Sequence, residues 1–347
     1  MAAPDITRLP EIVCSLPEED AGLFSRLYTC SVETGHLVLP QKLVAWAHRA
    51  FGNVEEQRIV RVTNRFTYES SLFNSLRAKR PLQAPPIGEA EEALRLAGTG
   101  LFSRPLDCTP VDIFGRIPGK YCITAANIAK YDCLHSLIIF EEPDPFVVDE
   151  CIIADILDVA ERWFLEAHRN HPASVWPFFL WNCLWRAGAS IIHGHAQVLL
   201  SPSPYGRQAL MGAVGATYRQ LYGSEFLDDI CAVHEALDLS MACGRSRVMA
   251  YLTPVKEREA FIVAPGIADL ARPISTVLAC YRNLGVRSFN VGIFTPPIGE
   301  KGDCYARIVD RGDLSSRTSD IGGMELYAGT AVISADPFRL IDAFRSA

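Results

Sequence analysis

His193, His195 and Gln197 stand at alternate positions of GASIIHGHAQVLLSP (188–202), inside an otherwise apolar run. Ile191, Ile192, Val198, Leu199 and Leu200 favour β-structure and Pro202 stops it, so 190–201 reads as a strand. Side chains alternate between the two faces of a strand, which sets both imidazoles and the amide on one face. Gly194 and Ala196 fall on the other and are small enough to lie under close packing. The stretch aims three polar groups at one point.

Paired histidines can hold a metal, form a catalytic dyad or sit satisfied in a core. Tetrahedral zinc needs further ligands at short spacing, and no C-x-x-C occurs in the chain. A serine hydrolase of the nucleophile-elbow kind needs G-x-S-x-G, which is also missing. What remains is an imidazole acting as the nucleophile. The neutral ring attacks phosphorus and leaves again once protonated. Such a reaction needs donors for the phosphates and for the charge of the transition state. Asn182, Gly188 and Ser190 precede the histidines and supply an amide, a flexible backbone position and a hydroxyl. Arg77 and Arg80, in RAKR (77–80), carry planar forks suited to phosphate.

The pattern N-x5-G-x-S-x2-H-x-H-x-Q, from Asn182 to Gln197, resembles the signature of the galactose-1-phosphate uridylyltransferase branch of the histidine-triad superfamily. That branch also includes NDP-sugar and diadenosine polyphosphate phosphorylases. RAKRP-x-Q at 77–83 is similar to the family's N-terminal element, and Asn64 and Thr67 sit where the family has N-P-L-T. ANIAKYDCLHSLIIF resembles its nucleotide-pocket strand pair, with Asn127 at the N-D-F position. LTPVKEREAFIVAP, SFNVGIFTPP, GGMELYAGT and DPFRLIDAFR follow the second half-repeat in order.

The resemblance implies an α+β, HIT-like fold: two related half-repeats with an antiparallel sheet and packed helices. It implies that His195 takes a nucleoside monophosphate from a nucleotide donor, that His193 orients it, and that Gln197 hydrogen-bonds the phosphoryl oxygens. Arg77, Arg80, Asn182, Gly188 and Ser190 would hold phosphates, Asn127 would lie in the nucleotide pocket, and Glu325 would meet the acceptor or sugar. Related hydrolases place a third histidine where Gln197 stands. An amide donates to an oxyanion but is neither acid nor base, so transfer is favoured over hydrolysis. The implied reaction moves a nucleoside monophosphate between an NDP-sugar and a sugar 1-phosphate or phosphate. A diadenosine polyphosphate phosphorylase and a non-enzymatic nucleotide-binding module are the alternatives. Relatives often carry a zinc site, but Asp144 occupies one ligand position here and CYAR (304–307) replaces a second H-x-H. No zinc or other cofactor is expected. Ser319 and Ala331 lie near the places of the family's sugar-contacting Lys and Gln, which leaves the sugar open.

The elements that must position these residues follow from periodicity. LHSLIIF (134–140), 175–185 and 190–201 read as strands, and 149–171 as an amphipathic helix with an acidic start. A weaker strand–strand–helix–strand–strand series recurs at 247–311. We therefore expect an N-terminal extension of unknown role at 1–60, a first half at 61–205 and a second at 206–347. The chain has 347 residues, 49% hydrophobic and 21% charged, ordinary for a globular protein. A net charge of −7 without a basic stripe argues against nucleic acid. No uncharged apolar run approaches about 18 residues, and no secretory leader is evident, so no membrane partner is expected. Eleven scattered cysteines do not form a disulfide framework and read as reduced thiols of a cytoplasmic protein. The expected partners are a nucleotide donor and a phosphorylated small-molecule acceptor, with a homodimer left open.

Overall fold

The computed structural model describes residues 4–79, 97–316 and 319–347; Arg80 and the Pro-rich stretch after it lie outside these. Strand β1 (Tyr28–His36) pairs antiparallel with β2 (Glu56–Asn64), which turns back into β3 (Ser70–Phe73). A helix from Gln41 to Phe51 links β1 to β2.

The main sheet is built from β4 (Cys122–Ala126), β5 (Leu134–Phe140), β6 (Trp176–Cys183), β7 (His195–Ser201) and β8 (Ser240–Cys243). It continues through β9 (Ser246–Ala250), β10 (Ala260–Ala264), β11 (Phe289–Phe294) and β12 (Cys304–Asp310). These nine strands lie in the order β4–β5–β7–β6–β11–β12–β10–β9–β8, every neighbour antiparallel. Read outward from the central β6–β11 pair, each side repeats the same chain order, with one extra edge strand, β8. The C-terminal β13 (Thr330–Ile333) leaves this sheet and runs parallel to β3, completing a second sheet of four strands.

One face of the nine-stranded sheet is apolar and covered by helix Glu150–Asn170 and helix Ala271–Asn283. Asp149 caps the first helix by accepting from the Ile152 N–H at 2.9 Å. Ile153, Ile156, Leu157, Ala160, Trp163, Phe164 and Ala167 recur at helical spacing and are buried, in one core with Ala196, Val198 and Leu200 of β7. Burial of Ala196, Val198 and Leu200 there turns His195 and Gln197 to the opposite face.

On that opposite face the second half carries a row of aromatic rings. Phe178, Phe294, Tyr305, Phe261, Tyr251 and His234 stack in sequence, with ring centroids 5.1, 4.7, 5.4, 4.8 and 5.5 Å apart. In the first half the same face carries the motif residues.

The motif strand is shorter than the sequence pattern predicts. It begins at His195, not at Ser190. Leu184 (φ 65°) and Gly188 (φ 94°) turn the backbone left-handed, and the Ala187 and Ala189 N–H groups both donate to the Leu184 carbonyl at 3.1 Å. Ser190–Gly194 form a loop entering β7, in which the Gly194 N–H donates to the Pro143 carbonyl and its own carbonyl accepts from the Phe140 N–H. Among the described residues no helix is long and apolar enough to cross a membrane.

Candidate active site

The two histidines are held by backbone carbonyls. His193 Nε2 lies 2.8 Å from the Phe140 carbonyl oxygen and His195 Nδ1 lies 2.9 Å from that of His193. A carbonyl only accepts, so each ring nitrogen carries its proton and donates. The His195 proton is therefore on Nδ1, and its Nε2 keeps a lone pair with no protein partner among the described residues. Burial pushes the His195 imidazole below its ordinary pKa, against the bond to His193, and the ring is neutral at physiological pH. The Phe102 ring stands edge-on to both imidazoles, with centroids 5.2 Å from His195 and 6.1 Å from His193. Gly194 is obligatory between them. A Cβ there would lie 2.6 Å from the Phe140 ring and 3.2 Å from the Glu142 carbonyl oxygen.

Gln197 lies two residues along the same face, 5% exposed. Its Oε1 is 2.9 Å from Nε2 of His135, a β5 residue with no solvent exposure. Asn127, just past β4, brings Nδ2 to 3.2 Å from the same ring nitrogen, while its Oδ1 accepts from the Ala129 N–H. His135 Nδ1 accepts from the Tyr131 N–H at 2.9 Å.

Asn182 approaches from β6. Leu180 pairs with Gln197, so Asn182, two residues on, is on the same face at the His195 end of β7. Its Oδ1 is 2.6 Å from Asn290 Nδ2, which is also 2.9 Å from the Ala187 carbonyl oxygen. Asn290 Oδ1 accepts from Arg311, whose fork is held by both oxygens of Asp320 at 2.6 and 3.0 Å. An arginine only donates, so it fixes which end of Asn290 faces it and leaves the Nδ2 of Asn182 free. Lys256 bonds the Asp320 carbonyl oxygen and lies 3.7 Å from Glu325. Glu325 thus connects to Asn182 through Lys256, Asp320, Arg311 and Asn290. Its other oxygen accepts from the Gly322 N–H at 2.9 Å, closing the first turn of a short helix.

The structure brings His193, His195, Gln197, Asn127 and Asn182 onto one end of the sheet face. Gly188 and Ser190 are exposed on the loop that enters it. Arg77 is exposed on the short 3-10 helix Ser75–Lys79, beside the four-stranded sheet, and no described hydrogen bond or ion pair carries it to the histidines. Arg80 lies outside the described residues. A cleft of about 590 Å³ beside His193 is lined by Phe102, Arg104, Lys120, Ile139 and Glu141 among others. Arg104 and Lys120 are thus cations sharing a cleft with His193, and sequence reading did not single them out. Nor did it single out His135, Phe102, Asn290 or Arg311. His135 had one signal, its place in the strand LHSLIIF, but only the register with β7 makes it Gln197's neighbour. Among the described residues no group of three or more His, Cys, Asp or Glu side chains could hold a metal ion.

No family profile matches the sequence, and no curated protein does. Solved structures do match. An ADP-glucose phosphorylase of Arabidopsis thaliana, crystallised with ADP-glucose, superposes with a TM-score of 0.59 at 17% identity, over 80% of this chain and 95% of its own. A uridylyltransferase gives 0.55 at 14% identity over 83% and 98%. A GalT-like protein, also of A. thaliana, gives 0.55 at 17% over 71% and 90%. The chain therefore shares the α+β fold of these structures, as the sequence resemblance implies.

Proposed function

We propose that this protein is a nucleotidyltransferase or phosphorylase that moves a nucleoside monophosphate between an NDP-sugar and phosphate or a sugar 1-phosphate, through a nucleotidyl-His195. The first half, 61–205, would carry the chemistry and the second would frame it. The observation behind this reading is the tautomer of His195, with its proton held on Nδ1 by a carbonyl and the Gln197 and Asn182 amides on the same sheet face.

Nε2 attacks the α-phosphorus of the donor. The N–P bond forms as the bridging P–O bond breaks, and the leaving sugar 1-phosphate takes the electron pair. The ring then bears positive charge, which the His193 carbonyl dipole stabilises through Nδ1–H. In the second half-reaction an oxygen of phosphate or of a second sugar 1-phosphate attacks the same phosphorus and the N–P electrons return to Nε2. Gln197 and Asn182 would donate to the non-bridging oxygens in both steps. Asn127 would line the nucleoside pocket, and Arg104 and Lys120 would neutralise phosphate charge from the cleft side. Gly188 and Ser190 would shape the loop over the phosphates. We assign Arg77 no stronger role than distant phosphate attraction and Glu325 a supporting place behind Asn182, and leave Arg80 the phosphate-holding role that the sequence resemblance implies.

The test is a panel of donors labelled at the α-phosphate: ADP-, GDP- and UDP-glucose and diadenosine tetraphosphate, each with phosphate or glucose 1-phosphate as acceptor. Label should attach to the protein, survive base, be lost in acid and map to His195, with parallel initial-rate lines. Intersecting lines, or label retained by His195→Asn, would reject the covalent reading. The preferred donor would decide between sugar nucleotide and dinucleotide.

A further inference from the structure

The Tyr131 N–H is a backbone donor and cannot be reversed. Its partner at 2.9 Å, His135 Nδ1, must therefore be the unprotonated nitrogen, which puts the proton of the neutral ring on Nε2. The group 2.9 Å from Nε2 must then be an acceptor, so Gln197 presents its oxygen to His135. This fixes the amide without any choice of which end is nitrogen. The Gln197 Nε2 hydrogens point away from His135, and no described group accepts them. Asn127 Nδ2, whose Oδ1 is held by the Ala129 N–H, lies 3.2 Å from the same Nε2 and meets it donor to donor, so the tautomer rests on the shorter contacts to Tyr131 and Gln197. Burial lowers the proton affinity of His135, so the ring stays neutral in this tautomer near pH 7.

We propose that His135 is a positioning residue for the transfer reaction: by holding Gln197 Oε1 from behind, it commits the Gln197 amide hydrogens to the phosphorus beside His195. A free glutamine could present either end, and its oxygen would repel a phosphoryl oxygen. The inference rests on the nucleotidyl-transfer reading above. It adds a residue that the H-x-H-x-Q pattern does not contain.

The experiment is a double-mutant cycle read by single-turnover labelling of His195 with the donor panel. His135→Phe should slow labelling about 10- to 100-fold, the scale of a misaligned catalytic group, with little change in nucleotide affinity. His135→Gln, which keeps an N–H near the Nε2 position, should recover most of that rate. In a Gln197→Ala background, His135→Phe should have no further effect on labelling. The preference between Rp and Sp α-phosphorothioate donors should relax in His135→Phe, which a loss of packing alone would not cause. Independent, multiplying effects of the two substitutions would overturn the proposal, as would wild-type labelling by folded His135→Phe. ¹⁵N NMR of the ring reports the tautomer without any turnover. An Nδ1-protonated His135 would overturn the proposal even if labelling is robust. Absence of label from the whole panel, with the Nε2-protonated tautomer present, would instead reject the transfer reading and leave the Gln197 orientation standing.

Discussion

Gln197 and Arg307 occupy one row of the nine-stranded sheet, on opposite sides of its central strand pair. Gln197 faces Leu180, Leu180 faces Gly292, and Gly292 faces Arg307. The repeat thus offers the same position twice and fills it with opposite chemistry. Arg307 lies over the rings of Tyr251 and Phe261 at 5.3 and 5.6 Å and is ion-paired to Glu259 and Glu69. Desolvation opposes its charge, yet the two carboxylates raise its pKa well above the ordinary value. Its Nε and Nη1 are taken by the two carboxylates, which leaves the buried Nη2 without a partner among the described residues. The second half is closed by its own ion pairs.

Arg307→Met should therefore destabilise the fold without touching the chemistry directly. It leaves Glu259, fully buried, and Glu69 without their shared partner. Breaking a buried pair from one side costs about 3–5 kcal/mol, which urea unfolding would read. His195 labelling per folded molecule should stay near wild type. A loss of labelling without a loss of stability would place Arg307 in the site instead.

Asn290 is expected to act on rate through Asn182. Asn290→Leu removes the donor at 2.6 Å from Asn182 Oδ1 and frees that amide to turn its oxygen toward the phosphates. The barrier to labelling should rise by about 1.5–3 kcal/mol, the scale of a hydrogen bond to a charged group. Asn182→Ala should cost at least as much, about 3–4 kcal/mol, and the two losses should not add. Full additivity would separate Asn290 from the site.

Much of this frame is legible in the sequence, and the remainder fails for physical reasons. LHSLIIF is β5 to the residue, and the helix expected over 149–171 is shorter by one residue at each end, because local periodicity and an Asp149 cap suffice to define them. Alternation also places His195 and Gln197 on one face and leaves Gly194 against Phe140. The onset of β7 is misread because Ile191 and Ile192 favour strand locally while the turn at Leu184–Gly188 decides otherwise. His135, Asn290 and Arg311 stayed hidden for another reason. Their roles depend on cross-strand register over separations of 62 and 108 residues, which no window of sequence contains.

Acid should weaken both the fold and the reaction. Burial holds His234, stacked on Tyr251, at a pKa of about 4, whereas an open-chain histidine titrates near 6.5. Between those values the unfolded chain binds a proton that the folded chain refuses. Stability therefore falls as pH falls, by about 1.4 kcal/mol per pH unit for this group, and the contribution vanishes above about 6.5. His195 and His135 are shifted in the same direction and steepen the slope. Urea unfolding at about pH 7, 6 and 5 should show the fall, reduced by one proton's share in His234→Gln. Labelling should lose rate over the acid side of this window, since protonation of His195 Nε2 removes the attacking lone pair. A labelling rate that rises on acidification would contradict the tautomer assigned to His195.

Gly194→Ala separates geometry from stability at the nucleophile itself. The added Cβ would meet the Phe140 ring at 2.6 Å and the Glu142 carbonyl oxygen at 3.2 Å, so something must move. Phe140 is a core residue, and its carbonyl anchors His193 while its N–H donates to the Gly194 carbonyl at 3.0 Å. Relief by shifting the 193–195 backbone is therefore coupled to the carbonyl that holds His195 Nδ1. Overpacking should cost about 1–3 kcal/mol in urea unfolding. The rate should suffer more, because a displacement of about 1 Å at a reacting atom can cost 100-fold. We expect labelling of His195 to drop by about that factor in a protein that remains folded, with nucleotide affinity nearly kept. Equal losses in affinity and labelling rate would mean that the whole cleft has shifted, and that His193 does not transmit the strain to His195 alone.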